Sequence, residues 1–148
     1  MVKHYHWLDF QMGLLDAYDN GMDTVVLVDG DGNVTEGPGF NVFAVLDGRL
    51  VTPASGMLDG MTRRTVIEIA KERDIDLLQR GITAEELRSA SEVFLTTTAG
   101  GILPVGAVDG RIVGNGAPGR VTTTIHSAYW NMRAQGWLGE PVNYDLRS

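Results

Sequence analysis

The spacing of apolar positions splits the chain into short elements separated by glycine-rich turns. Trp7, Phe10, Leu14, Leu15 and Tyr18 recur at helical spacing and Gly21 follows as a C-cap, which predicts a helix from about Trp7 to Asn20. The run Thr24 to Val28 reads as a buried strand. Asp29-Gly30-Asp31-Gly32 stops it with a hairpin-type turn, and Val34 to Glu36 starts the return. Asn41 to Leu46 and Arg49 to Thr52 make a second hairpin across Asp47-Gly48. A helix is predicted from about Thr62 to Arg73, with Val66, Ile69 and Ala70 on one face. A short apolar strand lies within Asp74 to Gln79, and Thr83-Ala84-Glu85-Glu86 is a capping box opening a helix to about Ser89. Val93-Phe94-Leu95 leads into Thr96-Thr97-Thr98-Ala99-Gly100-Gly101. Ile102 to Val108 and Arg111 to Val113 then form a third hairpin over Asp109-Gly110, and a helix from about Gly119 to Gln135 follows. Strands in hairpin pairs with helices between them favour an α+β fold with a mixed, largely antiparallel sheet and flanking helices over a regular parallel array.

Composition narrows the function classes. At 148 residues the chain is long enough for one domain with a real core. Twelve basic against 19 acidic residues, a net charge of −7, argue against a nucleic-acid partner. One phosphate held by backbone N–H groups remains compatible with that charge. Cysteine is absent, which removes disulfides, thiolate chemistry and Cys-based metal sites. No apolar run reaches membrane-spanning length and no signal pattern opens the chain, so a cytoplasmic protein without a membrane partner is expected.

Local chemistry is sparse. Asp29-x-Asp31-x-Asn33 has the opening of a calcium loop, but the sixth and twelfth positions are Val34 and Phe40 where Gly and Glu are needed, so a turn explains the acids. His4 and His6 have no third ligand nearby in sequence, His126 falls in the last helix, and no metal site is expected. Asp59-Gly60-Met61-Thr62-Arg63 sits where a loop enters a helix: the free N–H groups and dipole favour an anion, and Gly60 would let a ligand approach. Taken alone it reads first as a plain helix start. The Thr96 to Gly101 segment offers hydroxyls and bare backbone suited to phosphate, or an ordinary turn. Glu36 alone reads as a solvated acid and Lys3 as a surface cation. The residues by themselves give an α+β domain with two candidate anion-binding turns.

Taken together, several segments resemble the class IV, fold type IV, pyridoxal-phosphate (PLP) aminotransferases. They are Val2-Lys3, Thr35-Glu36-Gly37-x-Gly39-x-Asn41, Leu58-x-Gly60-x-Thr62-Arg63 and Thr97-Thr98-Ala99-Gly100-Gly101-x-x-Pro104, in the family's order and spacing. The wording around Thr98, and Trp7 four residues after Lys3, are most similar to the (R)-selective amine transaminases. Branched-chain members usually read Gly-Thr-Ala-Ala there and place a Tyr five residues after the lysine. That position is Leu8 here, so a tyrosine contact to the cofactor is not implied.

The resemblance implies the sheet or pseudo-barrel of the C-terminal domain of the D-amino-acid aminotransferase-like fold, spanning residues 1–148 as one PLP-binding domain. It implies that Lys3 forms the Schiff base and shuttles the α-proton. Glu36 would pair with the pyridinium nitrogen and Leu58 would pack on the ring. Met61, Thr62, Thr97 and Thr98 would hold the phosphate, while Trp7 and Ala99 would face the substrate. Trp7 reads equally as a core aromatic. The family's N-terminal domain is absent before Lys3, so Met1 is expected to be an internal start and apolar interface surface to be exposed. The implied activity is ping-pong amino transfer between an amine or amino acid and a keto acid such as pyruvate, in a homodimer completed by the missing N-terminal piece. A non-catalytic PLP-binding scaffold is the alternative, and a lyase of the aminodeoxychorismate type a more distant one.

Overall fold

The structure is a computed structural model that describes residues 7–137 and 139–144. Its frame is a six-stranded sheet built from β1 (Glu36–Gly37), β2 (Phe40–Leu46), β3 (Arg49–Thr52), β4 (Leu77–Gln79), β5 (Glu92–Thr97) and β6 (Gly101–Val105). The spatial order is β4-β3-β2-β5-β6, with β1 on β2 as well. Every pairing is antiparallel except β3 with β4. A separate hairpin joins β7 (Ala107–Val108) to β8 (Arg111–Ile112). The helices are α1 (Leu8–Asp19), α2 (Met61–Glu72), α3 (Ala84–Ser89) and α4 (Arg120–Ala134). The α+β class and the largely antiparallel sheet agree with the expectation.

β2 is central, and burial on both sides explains its nearly continuous apolar run. Val42, Ala44 and Leu46 face a core with Val93, Leu95, Ile82 and Leu87. Phe43 and Val45 face the opposite core with Phe94, Val66, Ile69, Ile125 and Tyr129, which places α2 and α4 on that side. Phe43 and Phe94 are fully buried and stacked at 5.0 Å between centroids. Burying each such ring stabilises the fold by about 1.5–3 kcal/mol.

Both Asp-Gly turns form as read. Asp47 (φ 49°) with Gly48 (φ 77°), and Asp109 (φ 48°) with Gly110 (φ 74°), take the paired positive φ of a two-residue type I′ turn. Asp29 Oδ1 accepts from the backbone N–H of Asp31 and Asn33 at 3.0 and 2.8 Å, so this acid builds its own turn. Those bonds, Asn33 first, draw its pKa below the ordinary carboxylate value despite some desolvation.

Three expectations change. Thr24 to Val28 is not a buried sheet strand: Leu27 exchanges backbone bonds with Thr35 and Glu36, only Val28 bridges Val34, and Val28 is 49% exposed. The run is covered on one side by α1, whose Gly13 rests on Val25 and Leu27. Second, the buried stripe of α1 is centred on Ala17, with Phe10, Gly13 and Leu14 half-buried. Leu8, Met12, Leu15 and Tyr18 are exposed. Third, the run Ile102 to Val108 breaks at Gly106 into β6, which pairs with β5, and β7, which turns to β8.

α4 begins at Gly119 and its first N–H groups are answered from the sheet. Glu92 on β5 accepts from Val121 N at 3.1 Å and from Thr122 N and Oγ1 at 2.7 Å. A Cβ at Gly119 would collide with that carboxylate. No helix among the described residues is long and apolar enough to cross a membrane.

Candidate functional site

Glu36 opens β1. Pro38-Gly39 turns the chain so that Glu36 pairs with Asn41 at the start of β2. Glu36 Oε2 accepts from Asn41 Nδ2 at 3.3 Å and from the backbone N–H of Leu58 at 3.0 Å. Asn41 Nδ2 also donates to the Leu58 carbonyl at 2.7 Å. One buried amide therefore fixes a half-buried carboxylate and the loop before α2 in a single arrangement. The carboxylate is no loose surface acid, because Asn41 and Leu58 both donate to one of its oxygens.

The α2 start lies directly over this pair. A Cβ on Gly60 would fall 2.4 Å from Asn41 Oδ1, so only glycine fits. On the side where a Cβ would stand, the close approach at Gly60 is thus filled by Asn41. Gly60 is the N-cap and supplies no side-chain bond, and the first turn contains no acidic residue. Among the described residues nothing accepts from the N–H groups of Met61, Thr62 or Arg63. Uncompensated donors and a positive dipole end make this a place for an anion. Thr62 is buried; the Met61 side chain is exposed.

Arg63 locks the loop in place. Its side chain is only 3% exposed, and the guanidinium donates to Thr52 Oγ1, Asp59 Oδ1, the Pro53 carbonyl and Gln79 Oε1. Asp59 is opposed by its own desolvation, yet the bonds from Arg64 and Arg63 outweigh it and hold its carboxyl below the ordinary value. Asp59 is committed to these arginines and does not neutralise the helix start.

The third component is the end of β5. Asn41 pairs with Thr96, which pairs with Ile102, so Glu36, Asn41 and Thr96 form one row across three strands with side chains on one face. Thr97 ends the strand half-buried, and Thr98 and Ala99 are exposed in the turn that follows. Ala99 N donates to Thr97 Oγ1 at 3.4 Å.

The fold thus brings together Glu36, Leu58, Met61 and Thr62, with Thr97, Thr98 and Ala99 at the end of the strand beside them. Trp7 stands edge-on to Phe10 at 5.7 Å and is 37% exposed, so it is not a buried core aromatic. Lys3, His4 and His6 lie outside the described residues. His126 rests against Trp130 at 6.3 Å. Among the described residues no three potential metal ligands converge. A separate groove of about 510 Å³, between Arg73 and the start of α4 at Arg120, contains none of the expected site residues. Sequence reasoning passed over Asn41, Thr96 and Arg63 as site residues. Only the Glu36-to-Asn41 spacing carried a hint, because it places the pair across a tight turn.

A family profile described as amino-transferase class IV matches residues 1–108. The chain is 35% identical over 127 residues to the branched-chain-amino-acid aminotransferase of Pseudomonas aeruginosa, covering 85% of this chain and 41% of that protein. It is similar to the crystal structure of the Escherichia coli branched-chain amino acid aminotransferase, with TM-score 0.84 and 36% identity over 90% of this chain and 47% of that one. The PLP-form (holo-form) of the branched-chain amino acid aminotransferase from Thermobaculum terrenum superposes with TM-score 0.82 at 34% identity, over 88% of this chain and 43% of that one. The chain therefore spans less than half the length of these relatives.

Proposed function

The chain belongs to the class IV aminotransferases, and from that membership we propose that it is the cofactor-holding part of a PLP-dependent transaminase. The reaction moves an amino group between a primary amine or amino acid and a keto acid. One observation carries the reading: the row Glu36–Asn41–Thr96 has a fixed carboxylate at one end and the unanswered N–H groups of α2 above it. A phosphorylated ring cation needs both features, and these residues fit it.

In this reading Glu36 holds the ring N–H, and the donors from Asn41 and Leu58 keep it aimed. Leu58, anchored through its backbone on both sides, presents its side chain to the ring. Met61 N–H, Thr62 N–H and the hydroxyl of Thr98 hold the phosphate, with Thr97 next to Thr98 completing the cofactor-binding end of the strand. The cofactor, once bound, supplies a cationic electron sink that stabilises negative charge at the amine carbon. Lys3 supplies the amine that binds the cofactor and moves the proton at that carbon. Trp7 and Ala99 face the substrate.

The relatives named above are called branched-chain enzymes, whereas the Thr97-Thr98-Ala99-Gly100 wording resembles amine transaminases. The donor is accordingly read as the broader class, and (R)-amines tested against branched-chain amino acids separate the two. A module that binds cofactor without turnover is the second reading, since the described residues favour holding the cofactor and do not include Lys3. Under the first, a homodimer and a further domain complete the site.

A visible spectrum with PLP tests the proposal. Wild type should develop a bound-cofactor band that Lys3→Ala lacks, and added amine should bleach it. A band that amine does not change leaves the binding module; no band in wild type removes the cofactor reading.

A further inference from the structure

We infer that the hydroxyl of Thr96 is a positioning group for the cofactor's phosphate, without a hydrogen-bond partner among the described residues and completed by the bound cofactor. The inference rests on the cofactor reading above and deepens it.

Thr96 is 2% exposed, and its Oγ1 is the buried side-chain polar atom that has no partner among the described residues. A hydroxyl shut away from water without a partner destabilises the chain. Valine would fill the same volume without that penalty. The surroundings would welcome it: Phe94 precedes Thr96 on the same face and Ile102 lies across from it, both in the apolar core. Packing alone therefore favours valine, and the hydroxyl calls for a role that folding does not supply.

Its place in the fold says which role. Thr96 lies opposite Asn41, and Asn41 Oδ1 presses on Gly60 at the α2 start. The unpartnered hydroxyl is thus in the sheet floor beneath the helix start whose first N–H groups are unanswered. β5 ends at Thr97, and Thr98 follows in the exposed turn at that same end of the strand. Thr96 and Thr98 thus sit at the same end of β5, two residues apart, beside the α2 start. Rotation of the Thr96 side chain between staggered wells exchanges hydroxyl and methyl, so the donor can change direction without moving the strand.

The test compares Thr96→Val and Thr96→Ser with wild type, titrating each chain with PLP and with pyridoxal, which lacks the phosphate. T96V should bind PLP about tenfold more weakly while pyridoxal stays within about twofold, and T96S should hold PLP within about threefold, as expected for one hydrogen bond to a charged group. Without cofactor, T96V should unfold at the same temperature as wild type or higher. A merely structural threonine would not give opposite signs in binding and stability. Unchanged PLP affinity in T96V, equal losses for PLP and pyridoxal, or a lower unfolding temperature would each overturn the inference. If wild type itself fails to take up PLP, the cofactor reading falls and Thr96 with it; if wild type binds and T96V binds equally well, Thr96 alone falls.

Discussion

Asn41 bears on everything around it. Its amide nitrogen serves Glu36 and the Leu58 carbonyl, and its amide oxygen occupies the space that defines Gly60 as glycine. Removing it strips one donor from a carboxylate and one from a carbonyl. Asn41→Ala is therefore expected to cost about 1–3 kcal/mol in denaturant unfolding, and to weaken PLP binding because Glu36 and the α2 start lose their common tie. An unfolding midpoint equal to wild type would show that the amide bonds are redundant. At this scale the sequence was half legible. Glu36, Leu58 and Thr62 could be picked out because their motif order resembles a family. Asn41 and Thr96 could not be seen as neighbours, since a long stretch of intervening chain separates them and only the strand register places them side by side.

At the scale of elements, turns and caps were the readable features. The Asp-Gly hairpins and the Thr83 capping box form where local chemistry predicts, because a short stretch contains all of the interacting groups. Non-local features were not readable: α2 serves as the crossover that lets β4 lie parallel to β3, and nothing in Leu77–Gln79 announces that partner. Thr24 to Val28 misled because its apolar run records one-sided cover by α1 rather than a place in the sheet. The cap also gives a pH prediction. Glu86 is held below its ordinary pKa, first by the Arg80 hydrogen bond and then by the Thr83 N–H, with some opposing desolvation. A depressed native pKa contributes stability that is fully present above the unfolded value of 4.5 and is lost as pH falls through the native value. Glu86→Gln should therefore flatten the fall in unfolding temperature below about pH 4.5 while changing neutral stability little, given how exposed the pair is. Thr83→Ala should cost about 1 kcal/mol at neutral pH. Thermal melts across the acid range check both.

The whole molecule has two unlike faces. The sheet is closed over by α2 and α4 on one side, but α1 turns Leu8, Met12, Leu15 and Tyr18 outward, at 71, 61, 59 and 58% exposure. An apolar stripe of that kind favours association. Sedimentation velocity should show mass rising with concentration for wild type, and a shift toward monomer for the double variant Met12→Ser, Leu15→Ser. Monomer at all concentrations in wild type would mean that the stripe is tolerated in water. The overall class could be read from hairpin pairs alternating with helices, whereas the direction in which each helix points its apolar side depends on neighbours that the pattern does not name.

The contrast between α2 and α4 has a consequence for selectivity. α4 is a stoppered socket: Glu92 is covalently part of the fold, so no dissolved anion can compete for that end, and Gly119 exists to admit the stopper. Among the described residues α2 has no such stopper, and its nearby acid, Asp59, is diverted to two arginines. Two helices flank the same face of one sheet, yet among the described residues the chain answers one from within and leaves the other open. Under the cofactor reading, a protein with a net charge of −7 admits a negatively charged visitor at the α2 start because its own carboxylates are kept away there, rather than by added positive charge.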